Sequence, residues 1–330
     1  MRALQSMAPF AETLVEPLAM LTSPLTPRSF HAGRRACQAL ASIPATRAWA
    51  TMRFARAVLA AQWRSALLLE HVRRLPGEEL GAFLDSRIRF PGERRFLSAL
   101  ATGRPLILAT PHTVASVLGC VAIARKLRGS RRFAVLYQSE ERNAGLPALF
   151  QRAGVAVVLL SGVGGVVRAL EVLKHGGCLA TMPDVFDDVS DTIVVPFFGR
   201  WLRIAGGTAF LAKRSAALLV PGYVTTRRGL VVHLEAAAPI DAGAEASGDE
   251  RQDLFALTCR MFAEFERRIA RAPEHWLYWD RLPRLSTPME LPRDAGSPDF
   301  EAAIANRCRA LPGLLRRVPE LGSLREGAST

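Results

Sequence analysis

The amino-acid sequence predicts an α/β fold: a mainly parallel central sheet flanked by helices, with a helical region ahead of it. Three observations carry this expectation. Between residues 104 and 224 short apolar runs recur, LILAT at 106–110, RFAVLY at 132–137, VAVVLL at 155–160, GCLATM at 177–182 and AALLVPGYV at 216–224. Helix-period segments separate most of them. The runs are apolar throughout instead of alternating, the pattern of strands covered on both faces.

The elements follow in order. Apolar residues from Met7 to Leu25 are interrupted by Glu12, Glu16, Pro17 and Pro24, so the run falls short of the roughly 20 apolar residues a membrane-spanning helix needs. No small-residue cleavage site follows a clean apolar core, and the segment reads as amphipathic and interfacial. Trp49 to Arg73 places Phe54, Val58, Leu59, Trp63, Leu67 and Leu68 at three- to four-residue spacing, a helix, and Leu75 to Leu84 continues as a second. Among the strands, helices are expected over 114–126, 146–153, 166–175 and 205–215. Residues 230–234 fit an antiparallel edge strand and 250–271 a long amphipathic helix. From about Pro283 the chain is rich in Pro, Gly, Ser and Arg, which predicts a poorly ordered extension with a short helix near 300–311. The expected division is 1–85, a helical and membrane-associating region; 86–284, the α/β domain; and 285–330, the extension.

A chain of 330 residues can bury a sizeable core without staples. Its five cysteines occur singly, with no C-x-x-C pair and no histidine at ligand spacing, so neither a zinc site nor a disulfide framework is expected. The net charge of +13 is mostly arginine and suits a polyanionic partner: an anionic membrane surface, an acidic carrier protein or a phosphorylated donor. Nucleic acid is disfavoured, because an aromatic content of 7% with three tyrosines offers few stacking platforms and no DNA- or RNA-binding motif is present.

In a parallel sheet, functional groups collect beyond the C-terminal ends of the strands. Three segments meet that condition. His112 follows LILAT, the loop Ser139-Glu140-Glu141-Arg142-Asn143 follows RFAVLY, and Asp184 follows GCLATM. Histidine ordinarily titrates near neutrality, which suits His112 to take a proton from a hydroxyl or amine attacking a thioester. A carboxylate on the other ring nitrogen would fix the tautomer and stabilise the imidazolium. Asp184, Glu140 and Glu141 are candidates for that role, with the hydroxyls of Thr113 and Ser116 as weaker ones; Arg142 and Asn143 complete a polar rim.

Three further segments have two readings each. Phe197-Phe198-Gly199, in a loop leading to the small-residue helix whose Lys213 is a candidate substrate-binding residue, could line an acyl groove or could pack the core. The aromatic run Pro273-Glu274-His275-Trp276-Leu277-Tyr278-Trp279 could form a pocket wall, an interfacial contact or core. Gly162-Val163-Gly164-Gly165-Val166-Val167 faintly copies a dinucleotide fingerprint but has Val167 at the third glycine, and fits a βα turn better.

Taken in order over about residues 100 to 282, these segments resemble the lysophospholipid-type acyltransferase superfamily, and within it the lipid A late acyltransferases, the lauroyl and myristoyl transferases. His112 stands at that family's histidine, Leu173-Lys174-His175-Gly176-Gly177 through Asp184 at its strand ending in an aspartate, and Val195 to Gly199 at its FFG segment. Leu211-Ala212-Lys213 with 216–221 is similar to its following helix and strand, and Pro273 to Trp279 to its closing P-E-x-W motif. The resemblance implies a glycerol-3-phosphate/lysophospholipid acyltransferase-like fold and a donor thioester on acyl carrier protein or coenzyme A. It also implies a lipid or small-molecule acceptor, no metal or cofactor, and a peripheral place on the cytoplasmic face of a bacterial inner membrane. The family pattern H-x-x-x-x-D/E would put an acid five residues after the histidine, where this chain has Val117.

Two functions from different classes therefore fit: an acyltransferase using His112 as base, or a catalytically silent relative that binds acyl chains, lipid or carrier protein. A carboxylate within reach of the His112 ring favours the first, and a ring packed only against apolar atoms the second. A nucleotide-cofactor enzyme is a distant third, resting on the glycine turn alone.

Overall fold

The computed structural model describes residues 51–127, 130–137, 146–153, 156–159, 162–184, 192–244, 249–279, 281–282 and 286–288. In chain order the elements begin with α1 (Thr51–Arg74), α2 (Gly77–Arg87), β1 (Ile88–Arg89), α3 (Glu93–Ala101), β2 (Leu106–Ala109) and α4 (Ser116–Leu127). Next come β3 (Phe133–Tyr137), α5 (Leu146–Arg152), β4 (Ala156–Leu159), α6 (Gly162–Lys174) and β5 (Cys178–Thr181). The remainder are β6 (Thr192–Phe197), β7 (Arg200–Ala205), α7 (Gly207–Ser215), β8 (Leu218–Arg227), β9 (Val231–Ala236), β10 (Ile240–Asp241), α8 (Glu250–Arg271), a 3-10 turn (Pro273–His275) and β11 (Ser286–Pro288).

The apolar runs form the sheet. Its strand order is β1-β9-β8-β2-β5-β3-β4, with β10 paired to β8. Strands β8, β2, β5, β3 and β4 are mutually parallel, so their C-terminal ends share one edge. β9 runs antiparallel to β8, as expected for 230–234, but it is not the edge, because β1 pairs parallel to its far side.

Both faces of the sheet are buried, and successive residues point to opposite cores. Ile107, Ala134, Leu179 and Leu219 belong to one cluster, shared with α6, α7 and α8. Leu106, Val135, Ala180 and Val220 belong to the other, shared with α2, α3 and α4. The long helix α1 serves both: Phe54 and Val58 enter the first cluster, Leu68 and Val72 the second. At Gly119 of α4 a Cβ would meet Val224 Cγ2 at 2.6 Å, so glycine lets this helix lie close against β8 and β9. Helix α8 starts at Asp249, whose carboxylate accepts the N–H groups of Arg251 and Gln252.

A second sheet, of order β11-β7-β6, was not expected. The segment around Phe197-Phe198-Gly199 is a tight hairpin and not a loop: Phe197 pairs with Arg200, leaving Phe198 and Gly199 as the two turn residues, with φ of 49° and 69°. Two successive positive φ values are the turn that matches the twist of a hairpin. Pro196 is tolerated because β6 is an edge strand. β11 comes from the expected extension and pairs antiparallel with β7; the helix expected near 300–311 and the segment Met7 to Leu25 lie outside the described residues. The glycines at 162–165 open helix α6 instead of forming a separate turn.

Candidate active site

β2 and β5 are adjacent and in register, with Ala109 opposite Thr181. Three residues beyond each paired end stand His112 and Asp184. Thr110 extends the ladder by one more bond, its N–H donating to Thr181 O at 3.0 Å. The two chains therefore leave the sheet side by side.

The turn after β2 is held by its own hydroxyls. Thr113 N–H donates to Ser116 Oγ at 2.9 Å, the two hydroxyls lie 3.1 Å apart, and Ser116 Oγ donates to Pro111 O at 3.3 Å. Thr113 and Ser116 are buried and occupied in this way, so they shape the loop that presents His112. The closing aromatic segment locks the loop from the other side. Val114 N–H donates to His275 O, Leu277 N–H donates to His112 O at 3.0 Å, and Thr113 forms an antiparallel bridge with Trp276.

Asp184 Oδ1 lies 2.6 Å from His112 Nδ1. The same carboxylate accepts the His112 backbone N–H at 3.0 and 2.8 Å, and Oδ2 accepts the Trp276 indole N–H at 2.9 Å. A carboxylate is an acceptor, so the imidazole proton sits on Nδ1 and Nε2 carries the free lone pair. Asp184 is 1% exposed whereas the His112 side chain is 24% exposed: the acid is sealed behind a base that reaches the cleft. The Tyr278 ring stands 4.9 Å from the imidazole, and the Arg281 guanidinium lies over that tyrosine ring at 4.8 Å.

Val117, five residues after His112, packs against the sheet's second core cluster. The carboxylate that meets the His112 ring comes instead from the segment after the neighbouring strand β5. Phe197 and Phe198 are buried in an aromatic cluster with Trp276, Trp279 and Phe262, and the Phe198 N–H donates to the buried Glu266 carboxylate at 3.1 Å. Their side chains support the site from behind, with Gly199 in the hairpin turn. Lys213 forms an ion pair with Asp253 of α8 at 2.7 Å. Glu140, Glu141, Arg142 and Asn143 lie outside the described residues.

Beside the site an apolar chamber of about 60 Å³ lies between α4 and the sheet. Thr110 and Ser116 stand at its end nearest His112; Gly119, Cys120 and Ile123 follow down the helix, and Phe133 lies at the opposite end of the strands. Burial pushes the Cys120 thiol up to about 12, so it remains a neutral, apolar wall. Tyr223, also on the wall, has its hydroxyl raised well above the usual range, first by burial and then by Glu274, Glu235 and Asp184, and donates to Ala272 O at 2.8 Å. It acts as a structural donor. Among the described residues no group of His, Cys, Asp and Glu could hold a metal ion, and no helix is long and apolar enough to cross a membrane.

The indole of Trp276 and the ring of Tyr278 are the site groups the sequence did not single out by role. Their segment was conspicuous as a dense aromatic run, but nothing in its spacing says that one indole N–H meets a carboxylate 92 residues earlier.

A solvent-reachable imidazole backed by a buried carboxylate thus stands at the strand ends of a parallel α/β sheet. Residues 80–284, more than half of the chain, match the family model of bacterial lipid A biosynthesis acyltransferases, and the chain belongs to that family. It is an acyl-transferring enzyme. No curated protein shows a match to the chain.

Proposed function

We propose that this protein moves a fatty acyl group from a thioester, carried by acyl carrier protein or coenzyme A, to a hydroxyl or amine of a lipid or specialised metabolite, with His112 as general base. The observation that carries the reading is the 2.6 Å contact between His112 Nδ1 and the buried Asp184. It supplies the orienting carboxylate that the H-x-x-x-x-D/E position lacks, and it favours turnover over a silent binding role.

In this mechanism the acceptor O–H or N–H approaches the thioester carbonyl carbon while Nε2 of His112 takes its proton. Asp184 holds the tautomer and stabilises the imidazolium. The tetrahedral intermediate collapses with cleavage of the C–S bond, and the imidazolium returns its proton to the departing thiolate. Ester or amide and free thiol leave, and the histidine is unchanged. The chamber along α4 is apolar and begins two residues from the base, but at about 60 Å³ it has room for only a few methylene groups, so most of an acyl tail would have to lie outside it. Glu140, Glu141, Arg142 and Asn143 remain proposed rim residues for donor or acceptor. The net charge of +13 supports an acidic donor and a peripheral position on the anionic inner face of the bacterial membrane.

The test is release of thiol from acyl carrier protein and coenzyme A thioesters of several chain lengths, in the presence of bacterial lipid extract. Wild type is expected to couple thiol release to a new acyl product and His112→Ala to abolish both. Equal product with the substituted protein would remove His112 from the mechanism.

A further inference from the structure

Asp184 is 1% exposed, and a buried carboxylate must be held by donors. The described bonds to it come from three groups. Two of them, the backbone N–H and Nδ1 of His112, belong to the residue that Asp184 has to orient. They move when His112 moves, so they cannot serve as its reference. The third donor, the Trp276 indole, is fixed by the packing of its own ring.

That indole is 2% exposed and wedged edge-on against Trp279 at 4.7 Å and Phe197 at 5.5 Å, which fixes the direction of its N–H. Its main chain bridges to Thr113, one residue beyond His112. A single residue thus fastens the acid through its side chain and the loop of the base through its backbone.

We propose that Trp276 is a positioning residue, whose indole N–H sets the rotation of the Asp184 carboxylate so that Oδ1 meets His112 Nδ1. The proposal rests on the reading of His112 as the base of acyl transfer. Without the indole donor, Oδ2 keeps, among the described residues, only a shared bond from the His112 backbone. A carboxyl group relieved of that tether can rotate, or take up a proton and offer a donor to Nδ1. Rotation leaves the imidazole tautomer unfixed and protonation of the carboxyl puts the ring proton on Nε2, so either change depletes the form with a free lone pair on Nε2.

The experiment compares wild type, Trp276→Phe and Trp276→benzothienylalanine, the last keeping the bicyclic shape while sulfur replaces the N–H. Steady-state transfer is measured across pH, and thermal melting is followed in parallel. Loss of one hydrogen bond to a buried charged group is expected to lower kcat by about 10- to 100-fold in both variants. KM for the thioester is expected to stay within about twofold, since the indole is 2% exposed. The acid limb of the pH–rate profile should move, because the carboxyl facing the imidazole changes its orientation or charge, a change that a packing role would not produce. Should the phenylalanine variant fail to fold, the isosteric variant alone decides. Wild-type kcat and an unmoved acid limb in a folded isostere would overturn the proposal alone. A wild-type protein lacking His112-dependent transfer would overturn the reading of the site, and the proposal with it.

Discussion

Replacing Asp184 by asparagine isolates the orienting charge. Asparagine has the size of the aspartate, and its carbonyl oxygen can still accept the Trp276 indole N–H that Oδ2 now takes at 2.9 Å. With that bond kept, the amide –NH2 occupies the position of Oδ1, 2.6 Å from Nδ1, and offers a donor where the histidine needs an acceptor. Nδ1 must then accept, the proton moves to Nε2, and the base is lost without loss of shape. The same exchange in a catalytic triad lowers turnover about 10⁴-fold, equivalent to about 5.4 kcal/mol of transition-state stabilisation. Stability should move the other way or not at all, because a buried charge is traded for a neutral group of equal volume. The assay is thiol release at saturating donor, with melting temperature measured on the same preparation. A folded Asp184→Asn protein turning over within about tenfold of wild type would refute the assignment of Asp184 as the orienting group.

Val117→Asp is expected not to restore turnover to the Asp184→Asn protein and to lower stability by about 1–3 kcal/mol, since position 117 packs on a core cluster; chemical denaturation with the transfer assay checks both. Cys120→Phe overfills the chamber of about 60 Å³ and is expected to cost about 1–3 kcal/mol of stability, read by chemical denaturation. Because burial raises the Cys120 thiol to about 12, the folded state disfavours its ionisation; its contribution to stability is complete below the ordinary thiol value and is lost as pH rises from about 9 towards about 12, which Cys120→Ala should flatten in denaturant titrations over that window. Asp241 is held well below the usual carboxylate range, first by its hydrogen bonds from Arg104, so its contribution is present above that range and is lost only as pH falls beneath it; acid unfolding of Asp241→Asn should lose that part of its pH dependence.

The parallel sheet was legible because its strands are short, apolar and separated by helix-period segments, and burial on both faces writes that pattern directly. His112 and Asp184 were legible as strand-end polar groups. Their pairing was not, because strand order is a tertiary property: β5 is inserted between β2 and β3, and only that insertion sets Asp184 beside His112. The second sheet was missed for local reasons. Pro196 argues against a strand unless an edge position is known, Phe198 is an unusual residue for a positive φ, and β11 sits in a stretch whose composition reads as a tail. Burial of Glu266 beneath the hairpin, where it receives the Phe198 N–H, is equally invisible without the contact between β6 and α8. Lys213 looked available for substrate because its partner Asp253 lies forty residues away on another helix.

The separation of 72 residues between His112 and Asp184 has, in the proposed mechanism, a consequence for how activity is acquired and lost. An acid one helical turn from its histidine would be delivered by local structure alone, and fraying or reforming that turn would govern it. Here the pair exists only after non-local strand docking has closed the intervening loops, an event of high contact order. Catalytic competence should therefore appear late in refolding, with the last cooperative step, and vanish with the first excursion that separates β2 from β5. A turnover measurement on this protein doubles as a reporter of that one strand interface, sensitive to openings too small or too rare to register in helix content.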